Sequence, residues 1–108
     1  MKVFSAYRDG RLTVYLQGEL DHHGVIGSME AIEQLLDSYM PRDVVLNLST
    51  LKFMDSSGIA LILKLHRRQQ SVGGRAWVEN PAEQPMRVID ASGIDRLINV
   101  VAKEETSV

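Results

Sequence analysis

The 108-residue chain reads as one α/β domain, a mixed sheet of about five strands with helices packed largely on one face. Three observations imply it. A strict alternation of apolar and polar residues follows the Asp9-Gly10 pair. The apolar spacing then changes to three and four from Val25 onward. Thereafter short β-branched runs and helical stretches alternate to the end, in the order β-β-α-β-α-β-α-β.

The first run, Val3 to Arg8, meets Asp9-Gly10, a dipeptide suited to a tight hairpin. Beyond it Leu12, Val14 and Leu16 alternate with Thr13, Tyr15 and Gln17, so one face looks inward and the other outward. Val25, Met29, Ile32, Leu36 and Tyr39 form one stripe of an amphipathic helix. Asp21 can cap that helix and Pro41 stops it. Val44-Val45-Leu46-Asn47-Leu48 is short and richly apolar, which suits a central strand.

A second helix is expected from Asp55–Ser57 to about Val72, with Ile59, Ile62, Leu63 and His66 on its inner side and Gly73-Gly74 as its exit. Ala76-Trp77-Val78 predicts another strand. Asn80-Pro81-Ala82-Glu83 predicts a helix start, with Asn80 as cap and Glu83 reaching back. Met86 and Ile89 supply that helix's buried side, and Gly93 ends it. Ile98 to Val101 predicts the last strand. The domain then spans 1–108, with 103–108 expected to fray.

Composition narrows the function. A net charge of −2 provides no basic field of the kind nucleic acids require, nor a polybasic membrane anchor. There is no cysteine, so disulfides and cysteine-based zinc sites are out. No leader-like apolar run follows Met1-Lys2, and no stretch approaches membrane-spanning length. The expectation is a cytoplasmic protein without nucleic-acid or membrane partners.

The segment Leu51-Lys52-Phe53-Met54-Asp55-Ser56-Ser57-Gly58 joins the apolar strand to the second helix. N–H groups at a helix start lack intrahelical partners and carry the positive end of the dipole, so a phosphate on either hydroxyl would find donors there. Asp-Ser-Ser is also an ordinary capping sequence, and on local chemistry alone the capping reading is the stronger of the two. A nucleophilic serine would need an oriented base, for which Asp55 with His22 or His23 are the candidates, but no G-x-S-x-G elbow is present. His22-His23 could share a metal, yet no H-E-x-x-H pattern accompanies them. There is also no P-loop or kinase signature, so the chain is expected to need no cofactor of its own and to perform no catalysis.

Together, Phe53-Met54-Asp55-Ser56-Ser57-Gly58-Ile59 and Gly18-Glu19-Leu20-Asp21-His22-His23 resemble the anti-sigma factor antagonists of the STAS domain class, and the likeness extends over nearly the whole chain. The resemblance implies Ser56 as phosphoacceptor and Ser57 as its supporting hydroxyl. It implies a partner-binding surface from Asp21, His22, His23, Met54, Asp55, Ser57 and Gly58. The unphosphorylated form would bind an anti-sigma factor that is also a serine kinase using ATP and Mg, and so release a sigma factor. Phosphorylation by that kinase would inactivate the chain, and a PP2C-type phosphatase would restore it. The two segments lean toward the sporulation branch. An alternative within the same class is an unphosphorylated adaptor subunit, for example beside a lipid-transport ATPase. Such antagonists commonly add a helix after the last strand, for which few residues follow Val101 here.

Overall fold

The computed structural model describes residues 1–102; positions 103–108, expected to fray, lie outside the described residues. Its elements are β1 (Lys2–Arg8), β2 (Arg11–Leu20), α1 (His22–Tyr39), β3 (Asp43–Asn47), β4 (Leu51–Met54), α2 (Ser56–Ser71), β5 (Arg75–Glu79), α3 (Glu83–Ser92), a single 3-10 turn (Ile94–Arg96) and β6 (Val100–Val101).

The hairpin forms where Asp9-Gly10 predicts it. Both residues have positive φ, 51° and 82°, the geometry of a type I′ turn, whose twist matches that of the flanking strands. β2 then pairs parallel with β3, β3 with β5, and β5 with β6, giving the order β1-β2-β3-β5-β6.

The sheet has six strands, one more than expected. The extra strand, β4, follows an interruption after Asn47. The Asn47 side chain accepts from the Ser49 N–H at 3.0 Å and from the Ser49 hydroxyl at 2.7 Å, which bends the chain out of β3. It rejoins β2 further along, with Glu19 opposite Phe53 and Leu20 opposite Met54. β3 and β4 thus share the two halves of the ten-residue β2.

Alternation puts Leu12, Val14, Leu16, Val44, Leu46 and Val78 on the face that meets the helices. Met29, Ile32 and Leu36 of α1, Leu61, Ile62 and Leu65 of α2 and Ile89 of α3 close that core. The opposite face, with Phe4, Thr13, Tyr15 and Trp77, carries no helix among the described residues.

α1 does begin where its expected cap, Asp21, places it, at His22. Several other boundaries differ from expectation. α3 is preceded by Ala82 with no side-chain cap, and Asn80 takes a left-handed φ of 52° that a capping residue does not have. Pro85, at a first-turn position where its missing N–H costs nothing, is buried beside Ile89, whereas Met86 is only half-buried. Ile98 is core but not strand. No helix among the described residues is long and apolar enough to cross a membrane.

Candidate functional site: two capped helix starts side by side

The Leu20–Met54 pairing places the ends of β2 and β4 together, and the Asp55 N–H donates to the Leu20 carbonyl at 3.3 Å. Each strand is followed at once by an aspartate and a helix. Asp21 accepts from the Gly24 N–H at 2.8 Å, and Asp55 from the Ser57 N–H at 2.8 Å. Both aspartates have extended backbone, as N-caps require. The Gly24 hydrogen bond is the chief reason the Asp21 carboxyl is held below its ordinary value; desolvation opposes it more weakly. Two segments far apart in sequence therefore form one surface.

On that surface Ser56 is exposed and is the first residue of α2, while Ser57 behind it is half-buried. The free-donor expectation needs correction. The Ser57 N–H is taken by Asp55 Oδ1 and the Gly58 N–H by the Asp55 carbonyl at 3.0 Å, leaving that of Ser56 as the first-turn donor without a partner among the described residues. The capping role of Asp55 is real, and it coexists with an open serine.

Met54 and Gly58, expected at a partner surface, are buried. Their part is to set the loop. A β-carbon on Gly58 would lie 2.9 Å from the Met54 sulfur, 3.1 Å from Met54 Cβ and 3.2 Å from Leu20 Cδ2, so only glycine lets α2 start this close to β2 and β4. His22 and His23 open α1, both exposed, with ring centroids 5.8 Å apart. Among the described residues no three His, Asp or Glu side chains are grouped to hold a metal. His66 lies on α2 with Nε2 buried and unpartnered among the described residues.

Two features escaped the sequence reading. Gln84 of α3 donates to the Met54 carbonyl at 3.0 Å and accepts from the Met54 N–H at 2.9 Å, replacing a strand neighbour for β4. Between α1 and α2 runs an open groove of about 450 Å³, from His22 and Ser57 past Ile26 and Ala60 to Lys64. Ile26 stands 61% exposed on its rim, an apolar side chain that α1 leaves uncovered. The stripe of Val25, Met29, Ile32, Leu36 and Tyr39 does not include it, so the apolar spacing gave no signal for it.

The chain belongs to the STAS domain family, whose model matches residues 5–107. It is 35% identical over 83 residues to the anti-sigma F factor antagonist of Lysinibacillus sphaericus, covering 77% of this chain and 71% of that protein. Among solved structures it is similar to the anti-sigma factor antagonist SpoIIAA in its unphosphorylated form, with a TM-score of 0.78, 28% identity and coverage of 96% and 91%. It also matches the Bacillus cell fate determinant SpoIIAA in the phosphorylated form, with a TM-score of 0.70, 28% identity and coverage of 96% and 95%.

Proposed function

We propose that this chain is an anti-sigma factor antagonist, switched off by phosphorylation of Ser56. The observation that carries the reading is the exposed Ser56 at the head of α2, directly after its cap Asp55. Ser57, half-buried with its N–H held by Asp55, is the poorer acceptor. The relatives named as anti-sigma factor antagonists, and the SpoIIAA structures with and without phosphate, support the same role.

In this reading the unmodified chain docks an anti-sigma factor through Asp21, His22, His23, Asp55 and Ser57, and the sigma factor is released. The partner is a serine kinase that brings ATP and Mg, a PP2C-type phosphatase reverses the modification, and the exchange takes place in the cytoplasm. The chain itself supplies a hydroxyl and a shape; it catalyses nothing and holds no cofactor.

One phosphate suffices as a switch. It adds about −1.5 to −2 charges at pH 7 directly after Asp55. The α2 dipole offsets this by about 0.3–1 kcal/mol, so the domain keeps its fold. A partner fitted to a neutral hydroxyl must instead desolvate a dianion, and a penalty of about 1–3 kcal/mol lowers affinity roughly 5- to 150-fold.

Phosphosite mapping after incubation with the anti-sigma kinase and ATP tests the assignment. Ser56→Ala should abolish stoichiometric modification and Ser57→Ala should retain it. Full modification of Ser56→Ala would overturn it.

A further inference from the structure

The far end of the sheet carries a second chemistry. Arg11 opens β2 and Leu20 closes it, so a strand of ten residues, about 30 Å at 3.3 Å each, separates this end from the serine surface. Here the helix-free face holds Arg8, Arg11, Arg42 and Arg75 around the carboxylates of Asp9 and Asp43, an excess of positive charge in a chain of net −2.

Asp43, 2% exposed, is the anchor. Arg75 donates to both its oxygens, from Nε at 3.2 Å and Nη2 at 3.3 Å, and so satisfies it. Arg11 Nη2 and Arg42 Nε stand at 3.7 and 3.9 Å, within reach of its charge but beyond hydrogen-bonding distance. Their side chains are half or more exposed, and neither guanidinium makes a side-chain hydrogen bond among the described residues. Arg8 reaches only Asp9, 3.6 Å away and almost fully exposed, a contact worth little.

Arg8, Arg11 and Arg42 line an open depression of about 400 Å³ together with Ala6, Thr13 and the carboxylate residues Asp9 and Asp43. Three planar forks that make no side-chain hydrogen bond among the described residues line this hollow and outnumber its two carboxylates; arginine engages the oxygens of a phosphate group two at a time. We infer that this hollow is a binding site for a phosphate group, free or carried on a protein side chain, and that it acts independently of Ser56.

The chain contains its own reporter. Trp77, its one tryptophan, has the Arg11 guanidinium carbon 4.9 Å from its ring centroid. An anion that draws Arg11 toward the hollow changes the surroundings of that ring, so tryptophan fluorescence should follow binding. The unmodified chain is titrated at constant ionic strength with inorganic pyrophosphate and, separately, with a neutral peptide bearing one phosphoserine. Calorimetry gives a second readout.

The expected result is saturable binding of at least one probe, weakened tenfold or more by Arg42→Ala or Arg8→Ala; the guanidinium groups over the Trp77 ring are those of Arg11 and Arg75. Arg87→Ala, which removes the same charge from α3, should leave it unchanged. Binding of pyrophosphate alone identifies a free phosphate ligand, and binding of the peptide alone a protein-borne one. No saturable binding of either probe, or equal weakening by Arg87→Ala, overturns the site. Because Ser56 is unmodified throughout, failure here leaves the switch untouched, and failure of the switch leaves this site standing.

Discussion

Asp21 and Asp55 each cap a helix immediately after paired residues of parallel strands, Leu20 and Met54, so their carboxylates mark one surface from which α1 and α2 both depart. Each carboxylate has a local duty that is separable from its charge. The hydrogen bond to a first-turn N–H needs only an oxygen, whereas repulsion of a neighbouring phosphate needs the negative charge.

That separation makes Asp55 testable. Asp55→Ala should cost about 0.5–2 kcal/mol of stability, since the Ser57 N–H loses its acceptor. Asp55→Asn should cost little, because the amide oxygen can accept the same bond. Urea unfolding of the three proteins checks both.

Glycine at two positions of the same helix pair should behave oppositely. Gly58→Ala drives a β-carbon against the Met54 side chain and Leu20 and is expected to destabilise by about 1–3 kcal/mol. Gly27→Ala, on the exposed side of α1 with nothing within 4 Å, should stabilise by about 0.5–1 kcal/mol through helix propensity. Denaturant midpoints at unchanged m-value give the comparison.

Gln84 should matter to the serine loop from outside it. Gln84→Ala leaves the N–H and carbonyl of Met54 without partners, a loss of about 1–3 kcal/mol if water does not replace both. Amide hydrogen exchange at Met54 should quicken, with exchange in the middle of β2 unaffected.

Acid sensitivity should centre on Asp43. Burial raises its pKa, but the hydrogen bonds and charge of Arg75, with the charges of Arg42 and Arg11, outweigh burial and hold the carboxyl below its ordinary 3.8. A carboxyl depressed in the folded state stabilises fully above its unfolded pKa, and that contribution is lost as pH falls below 3.8 toward the folded value. Asp43→Asn should therefore show a flatter loss of stability over that acid range, read from thermal unfolding at a series of pH values.

Much of this architecture is legible from residue patterns because local chemistry and tertiary structure agree. Asp9-Gly10 dictates its turn, Asp21 and Asp55 their caps, and Gly73 and Gly93 their left-handed exits. β4 is not legible, since Leu51-Lys52-Phe53-Met54 is too short to establish a period and exists because β2 has an unpaired second half. The Asn80-Pro81 start fails because Asn80 spends its conformation on a left-handed bend. At the site, Ser56 stands in the open as the motif implies, but the motif cannot tell that Met54 and Gly58 face inward. The bridging by Gln84, thirty residues from Met54, is a purely tertiary fact.

The proposed switch comes down to one comparison: the affinity of the proposed anti-sigma kinase partner for the unmodified chain and for the chain phosphorylated at Ser56, measured in the same buffer. A fall of roughly 5- to 150-fold on phosphorylation, with the far-ultraviolet circular dichroism of the free chain unchanged, is the expected result. Equal affinities for the two forms would contradict it.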